Sequence, residues 1–303
     1  MSRLTTITVL LAAALGAGAE EVRWKFEKGR VREYEAETVL EWSAAGSSSP
    51  LAKAGRKERQ VETVRIRLEV KAVDERGNAE IAGSFPAVKV THTGSVGKVE
   101  WDSEEAKTTG FEGYKRYEGL RGVTFTARVS PDGRVLESSG AGRPDRAPTP
   151  GNEKEHVEAL AFAVHDPTTP RAWLELIFGA VPPSKKNTRR TVRWIEEESI
   201  SISFVRHEKS GGRPGAKSVV ETPDRPHNTD PRSIGAMLVS DPGALAWAAI
   251  RGCAKKAETW FSLQDGELIR FEGEADTTLG YDEVVLVARM TWTIQAWDGK
   301  RRK

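Results

Sequence analysis

The chain predicts a β-rich α+β fold: a large curved antiparallel sheet, half-barrel-like, wrapping two or three short helices. Three observations lead there. Long runs alternate apolar and polar residues at period two, the mark of strands with one buried face. Two Asp-Gly pairs separate adjacent runs, and such pairs favour tight hairpin turns because Gly tolerates positive φ. Between two sets of strands lies a stretch patterned as short amphipathic helices, which need a broad apolar surface to lie on.

The clearest run is the last. Residues 259–263, the turn Gln264-Asp265-Gly266, residues 267–278 and residues 283–297 read as three strands in succession. In the final one Val284, Leu286, Ala288, Met290, Trp292, Ile294 and Ala296 share one face, against Arg289, Thr291, Thr293 and Gln295. From the beginning, residues 22–26 alternate and predict a first strand. Residues 32–42 predict a second, with Tyr34, Ala36, Thr38, Leu40 and Trp42 opposite Glu33, Glu35, Glu37 and Glu41. The short gap containing Gly29 predicts a hairpin between them. Residues 46–59 are small and polar and predict a loop. Residues 62–73 form a long strand, with Val64, Ile66, Leu68, Val70 and Ala72 inward.

Residues 79–91 return, interrupted at Phe85-Pro86, where a proline without an N–H implies an edge or a bulge. Residues 96–101 predict a short strand and residues 111–120 one or two helical turns. Residues 123–129 and 134–139 flank a second Asp-Gly turn, Ser130-Pro131-Asp132-Gly133. Residues 140–152 are a connector. Asn152 and Glu155 then form a capping box, and Val157, Leu160, Ala161 and Val164 make a helical stripe. Thr169 and Pro170 start the next helix, with Trp173, Leu174, Ile177 and Phe178 on its apolar face and Pro182-Pro183 as its stop. Residues 191–194 and 199–205 predict strands, 209–231 a long surface loop, and 233–239 a helix. Residues 240–250 fit a helix or a buried strand.

Met1-Ser2-Arg3, an apolar run over residues 4–15 and small residues before Glu20 make residues 1–19 a signal peptide. The run is too short to span a bilayer, and no other stretch approaches a span, so the mature chain is expected in the periplasm or outside the cell, soluble. No Cys follows the cut, which argues against a lipid anchor. Residues 20–299 are expected to form one β-rich domain, and the two Asp-Gly hairpins are consistent with two related halves (20–145 and 150–299). Residues 300–303 are a basic tail. The single cysteine, Cys253, leaves no internal disulfide, so core burial must hold the fold. A net charge of +2 with dispersed basic residues points away from nucleic acid.

Catalytic signatures are scarce. The five histidines lack the one-turn spacing of a zinc site. There is no Gly-x-Ser-x-Gly elbow and no phosphate-binding glycine loop. No cofactor, metal or catalytic residue is therefore assigned. Carboxylates are plentiful, mostly at outward positions beside Arg and Lys, where cross-strand ion pairing explains them. The remaining signal is nine tryptophans. Trp24, Trp42, Trp260 and Trp292 on strands and Trp173 on a helix face are the candidate lining of an apolar, aromatic concavity; filling a wide core is the plainer role for them.

Trp24-Lys25-Phe26 with Gly29 after a signal peptide, then Gly122-Val123-Thr124-Phe125 and the Ser130–Val135 stretch, resembles exported bacterial proteins of unknown function of the planctomycete type. The helix ending at Val181-Pro182-Pro183 is similar to a helix of that family, although the Gly-x-x-Trp expected after it is missing. The architecture resembles lipoprotein-carrier-like half-barrels. The expectation is a non-enzymatic exported protein that binds an apolar or lipid ligand, or an envelope protein, in the sheet's concavity. The alternatives are a carboxylate-dependent hydrolase acting on envelope sugars, which needs two inward acidic side chains roughly 5–10 Å apart, and a structural assembly module of the envelope.

Overall fold

The computed structural model describes residues 22–45, 57–94, 97–105, 123–140, 170–179, 181–183, 189–194, 198–221, 254–281, 284–297 and 299. Its strands are β1 (Val31–Ala45), β2 (Lys57–Val73), β3 (Ala79–Gly94), β4 (Gly97–Asp102), β5 (Thr124–Val129) and β6 (Val135–Gly140). They continue with β7 (Arg189–Trp194), β8 (Glu198–Ser210), β9 (Arg213–Glu221), β10 (Ala254–Ser262), β11 (Glu267–Tyr281) and β12 (Val284–Ala296). All twelve belong to one antiparallel sheet, ordered β6-β5-β3-β2-β1-β12-β11-β10-β9-β8-β7, with β4 beside β3. The N- and C-terminal strands β1 and β12 pair at its centre, Thr38 opposite Trp292. One helix is described, α1 (Pro170–Phe178), with Pro170 at its first position as expected. The helices expected at 152–166 and 233–239, the turns at 111–120 and the ambiguous stretch at 240–250 lie outside the described residues.

The Phe85-Pro86 interruption has a clear cause. β3 pairs with β5 over Ala79–Ser84 and with β4 over Lys89–Gly94. Pro86 falls between the two partners, where no ladder donor is required, and the register against β2 shifts between Arg65 and Arg67.

Two expectations are corrected. Residues 209–231 are not all loop: β9 follows β8 through a turn at Gly211-Gly212, both at positive φ, and buries Ala216, Ser218 and Val220. The Gly, Pro and charged residues around it mask a short alternating strand. Residues 22–26 form no strand and no hairpin with β1. They make an extended strap whose amides bond to two distant turns: Trp24 N–H to Pro131 O at 2.8 Å and Lys25 N–H to Gly266 O at 3.1 Å.

That strap shows the sheet to be curved. The β5–β6 and β10–β11 turns are six strand spacings apart in the order, about 29 Å on a flat sheet at ~4.8 Å per strand. Two consecutive residues bond to both turns, so the sheet must curl until they nearly meet. α1 touches β5, β6 and β11 from the same side, although a nine-residue helix is only about 14 Å long. Strap and helix therefore close one end of the concave face. Trp24 packs edge-on against Phe178 and Phe261 at 4.7 and 5.3 Å, and its indole N–H donates to Phe178 O at 3.0 Å. Gly133 sits under the helix C-terminus at φ 84°, where a Cβ would collide with Phe178 O.

Candidate functional site on the concave face

Strand register sorts side chains between the two faces. The concave face carries Tyr34, Ala36, Thr38 and Leu40 of β1, the even positions of β2, Trp292 and Ile294 of β12 and the odd positions Ala257, Thr259 and Phe261 of β10. Near the closed end it is packed with Phe125, Phe178, Phe261, Phe271, Ile66 and Leu268, all nearly inaccessible.

A charged clamp secures that end. Arg32 Nε donates to Glu267 at 2.8 Å and its other nitrogen to Lys25 O at 2.8 Å. Arg30 lies 3.3 Å from Glu267, and Arg213 bonds to Glu267 and, at 2.7 Å, to Asp265. Ser262 Oγ also donates to Asp265 at 2.8 Å. Burial pushes the Glu267 carboxyl upward, but hydrogen bonds from Arg213 and Arg32 outweigh it and hold the group below its usual range. Hydrogen bonds from Arg213 and Ser262 do the same to Asp265. Burial raises the neighbouring Tyr34 phenol above its ordinary value.

Further along the strands the face changes character. One cross-strand row sets Glu62 opposite Thr38, Thr38 opposite Trp292 and Trp292 opposite Gly273. The Trp292 indole lies across Gly273, where a Cβ would collide with it, and stacks near Phe271 at 6.5 Å. In the next row Gln60 stands opposite His92, whose Nε2 is 2.8 Å from Glu58. Thr38, Glu58, Gln60, Glu62 and His92 are all buried. Toward the other edge Thr259 stands opposite Ser218, both fully buried.

Four buried polar atoms of this face have no hydrogen-bond partner among the described residues: Tyr34 OH, Trp292 Nε1, Thr259 Oγ1 and Ser218 Oγ. Native interiors pair the large majority of such atoms.

The candidate tryptophans separate into distinct settings. Trp24 and Trp173 are buried around the closed end and Trp292 lies mid-face. Trp42 holds a register position opposite Glu58 and Ala288; its side chain lies outside the described residues. Trp260 is on the opposite, convex face, because Thr259 and Phe261 beside it take the concave one. There it lies beneath Lys217 at 4.8 Å and Arg270 at 5.8 Å, with its N–H on Glu208. The same face places Arg65 over Trp297 at 4.1 Å.

Residue type concealed Glu58, Gln60 and Glu62. Parity reveals them, since they extend the inward row of Val64, Ile66, Leu68 and Val70. Thr259 and Ser218 were likewise legible only by parity with Phe261 and Val220.

No protein-family model matches the chain, and no curated protein matches it. Among solved structures, the chain is similar to lipovitellin, in a structure concerned with lipid–protein interactions, at 12% identity and TM-score 0.44 over 92% of this chain. The chain spans 27% of that lipovitellin chain. It is also similar to DynF from the dynemicin biosynthesis pathway of Micromonospora chersina, at 8% identity and TM-score 0.23, over 93% of this chain and 87% of that one. Among the described residues, no helix is long and apolar enough to cross a membrane.

Proposed function

We propose that the chain is an exported, non-enzymatic protein, of the bacterial kind its sequence resembles, that holds an apolar, lipid-class ligand against the concave face. The observation that supports this reading is that Tyr34 OH, Trp292 Nε1, Thr259 Oγ1 and Ser218 Oγ are buried among apolar side chains with no partner among the described residues. A face serving only as core would have paired or replaced them. An amphiphile would supply apolar contact and polar partners together. Trp24, Trp173 and Trp292, with Trp42, are the aromatic contacts proposed for it. Native mass spectrometry after gentle purification tests the reading, followed by thermal unfolding with added lipids. Co-purifying apolar mass and a raised Tm are expected. A chain that never carries such a mass and gains no stability from any lipid would overturn it.

A second reading, a carboxylate-dependent hydrolase, is favoured by one observation: Glu58 and Glu62 are both inward and buried, with His92 on Glu58. Residues four apart on a strand have Cα atoms about 13 Å apart, so their carboxyls would have to converge to reach the spacing of glycoside hydrolysis. Release of sugars from envelope polysaccharide by the wild type, abolished in Glu62→Gln, would support it; no release would remove it.

A further inference from the structure

We infer that the cross-strand pair Ser218–Thr259 anchors the polar end of the ligand: the two hydroxyls hold one oxygen of an ester or alcohol group between them. This rests on the lipid-class reading above and adds where the polar end sits and what it is. The two residues stand directly opposite one another on β9 and β10, and neither has any exposed surface. Bulk water therefore does not serve them. Neither Ser218 Oγ nor Thr259 Oγ1 has a hydrogen-bond partner among the described residues. Opposite positions in an antiparallel pair hold their Cβ atoms about 4.5–5.5 Å apart. A single oxygen about 2.8 Å from each hydroxyl fits between them. A hydroxyl both donates and accepts. A carbonyl oxygen would accept from both; an alcohol would accept from one and donate to the other.

The rest of the row suits a hydrocarbon chain. Thr259 stands opposite Phe271, Phe271 opposite Ile294, Ile294 opposite Ala36 and Ala36 opposite Val64, all of them buried. From Thr259 to Val64 is four strand spacings, an apolar track of about 19 Å on a flat sheet. The neighbouring row through Trp292 offers no such track, since Thr38 and Glu62 stand in it. One row thus has two hydroxyls at one end and apolar side chains along the rest, the pattern of an amphiphile. Its surroundings define the head further. Ala216 and Val220 flank Ser218 on the same face, and Ala257 and Phe261 flank Thr259, all buried. The charged residues next to the pair in sequence, Lys217 and Glu258, lie on the convex face and bond to each other at 2.8 Å. An oxygen that carries no charge can enter such a setting for the cost of two hydrogen bonds exchanged with water.

The test uses an alkane, the corresponding alcohol and the methyl ester, all of one chain length. Dissociation constants would come from native mass spectrometry and Tm shifts for the wild type, Ser218→Ala, Thr259→Val and Thr259→Ser. The wild type is expected to bind all three probes. Ser218→Ala and Thr259→Val should each weaken the ester and the alcohol about threefold to tenfold and leave the alkane unchanged. Thr259→Ser keeps the hydroxyl and should bind ester and alcohol close to the wild type. The unliganded Tm of each variant reports on folding. Undiminished binding of the ester and alcohol by Ser218→Ala and Thr259→Val, or equal weakening of the alkane, overturns this inference and leaves the lipid-class reading standing. Binding of none of the three probes by the wild type overturns both.

Discussion

At the closed end of the concave face every charged group named above has a partner. Glu267 receives three arginines, Asp265 receives Arg213 and Ser262, and the Trp24 indole donates to Phe178 O. Three to six strand residues further along, Trp292, Thr259 and Ser218 bury polar atoms that meet no partner among the described residues. The two regions share one sheet and one core cluster. The difference teaches what each is for. Paired polar groups fix a geometry, here the approach of two turns that a flat sheet would hold far apart. Unpaired ones cost stability unless something else supplies the partner. Substitutions should therefore act oppositely in the two regions.

The largest expected effect is Trp24→Ala. It removes an indole that fills the space between Phe178 and Phe261 and leaves the Phe178 carbonyl unbonded. Loss of about 3–5 kcal/mol is expected, the range for deleting a large buried aromatic, read as a lower denaturation midpoint in urea. An unchanged midpoint would show that the strap does not hold the end closed. Glu267→Gln comes next. It keeps the shape but leaves Arg32, 8% exposed, without its carboxylate. The cost of breaking a fully buried pair is about 3–5 kcal/mol; Arg30 and Arg213 are partly exposed and hydrated, so about 2–3 kcal/mol is expected here.

The same clamp predicts a pH dependence. Glu267 and Asp265 are both held below their ordinary carboxyl values in the folded chain. A depressed folded-state value adds stability that is complete above the unfolded value and is lost as pH falls through the folded one. The wild type should therefore lose Tm progressively as the pH drops below about 4. Glu267→Gln should lose less over that window, because one of the two carboxyls is gone. Parallel acid titrations of Tm would show convergence of the two proteins; parallel curves would mean the clamp does not carry the acid response.

How much of this was legible in the sequence follows the same division. Alternation placed Trp292 and Ile294 on the buried face of β12, and a proline without an N–H marked the break at Phe85-Pro86. Pattern failed where partners are distant. Val22-Arg23-Trp24-Lys25-Phe26 alternates like a strand, yet its amides bond to carbonyls of two remote turns, and no local periodicity encodes that. Trp260 was grouped with the inward tryptophans by residue type, although Thr259 and Phe261 on either side already imply the opposite face. Glu58 fell in the stretch expected to be a loop and Glu62 at the first position of the next strand, and only parity with Val64 and Ile66 puts both inside. At the site, then, the face of each residue was in the sequence and its partners were not, because partners depend on curvature set by the strap and helix.

The smallest effect gives the sharpest contrast. Thr259→Val is nearly isosteric and removes only a hydroxyl that is fully buried and unpaired among the described residues. In the clamp around Glu267 and Asp265, removing a buried polar atom orphans its partner. Here there is no partner to orphan, and an unsatisfied buried hydroxyl carries a desolvation cost of about 1–3 kcal/mol. The unliganded protein should therefore be unchanged or more stable by up to about 1 kcal/mol, part of the gain being lost to imperfect packing of the new methyl. Ser218→Ala, directly opposite on β9, should behave alike, with a small cavity offsetting the gain. If the hydroxyls serve a ligand, both variants should at the same time show a smaller Tm rise on adding it. A variant that loses a kcal/mol or more without ligand would mean that Thr259 is paired in solution, and the contrast between the two regions would fail at that residue.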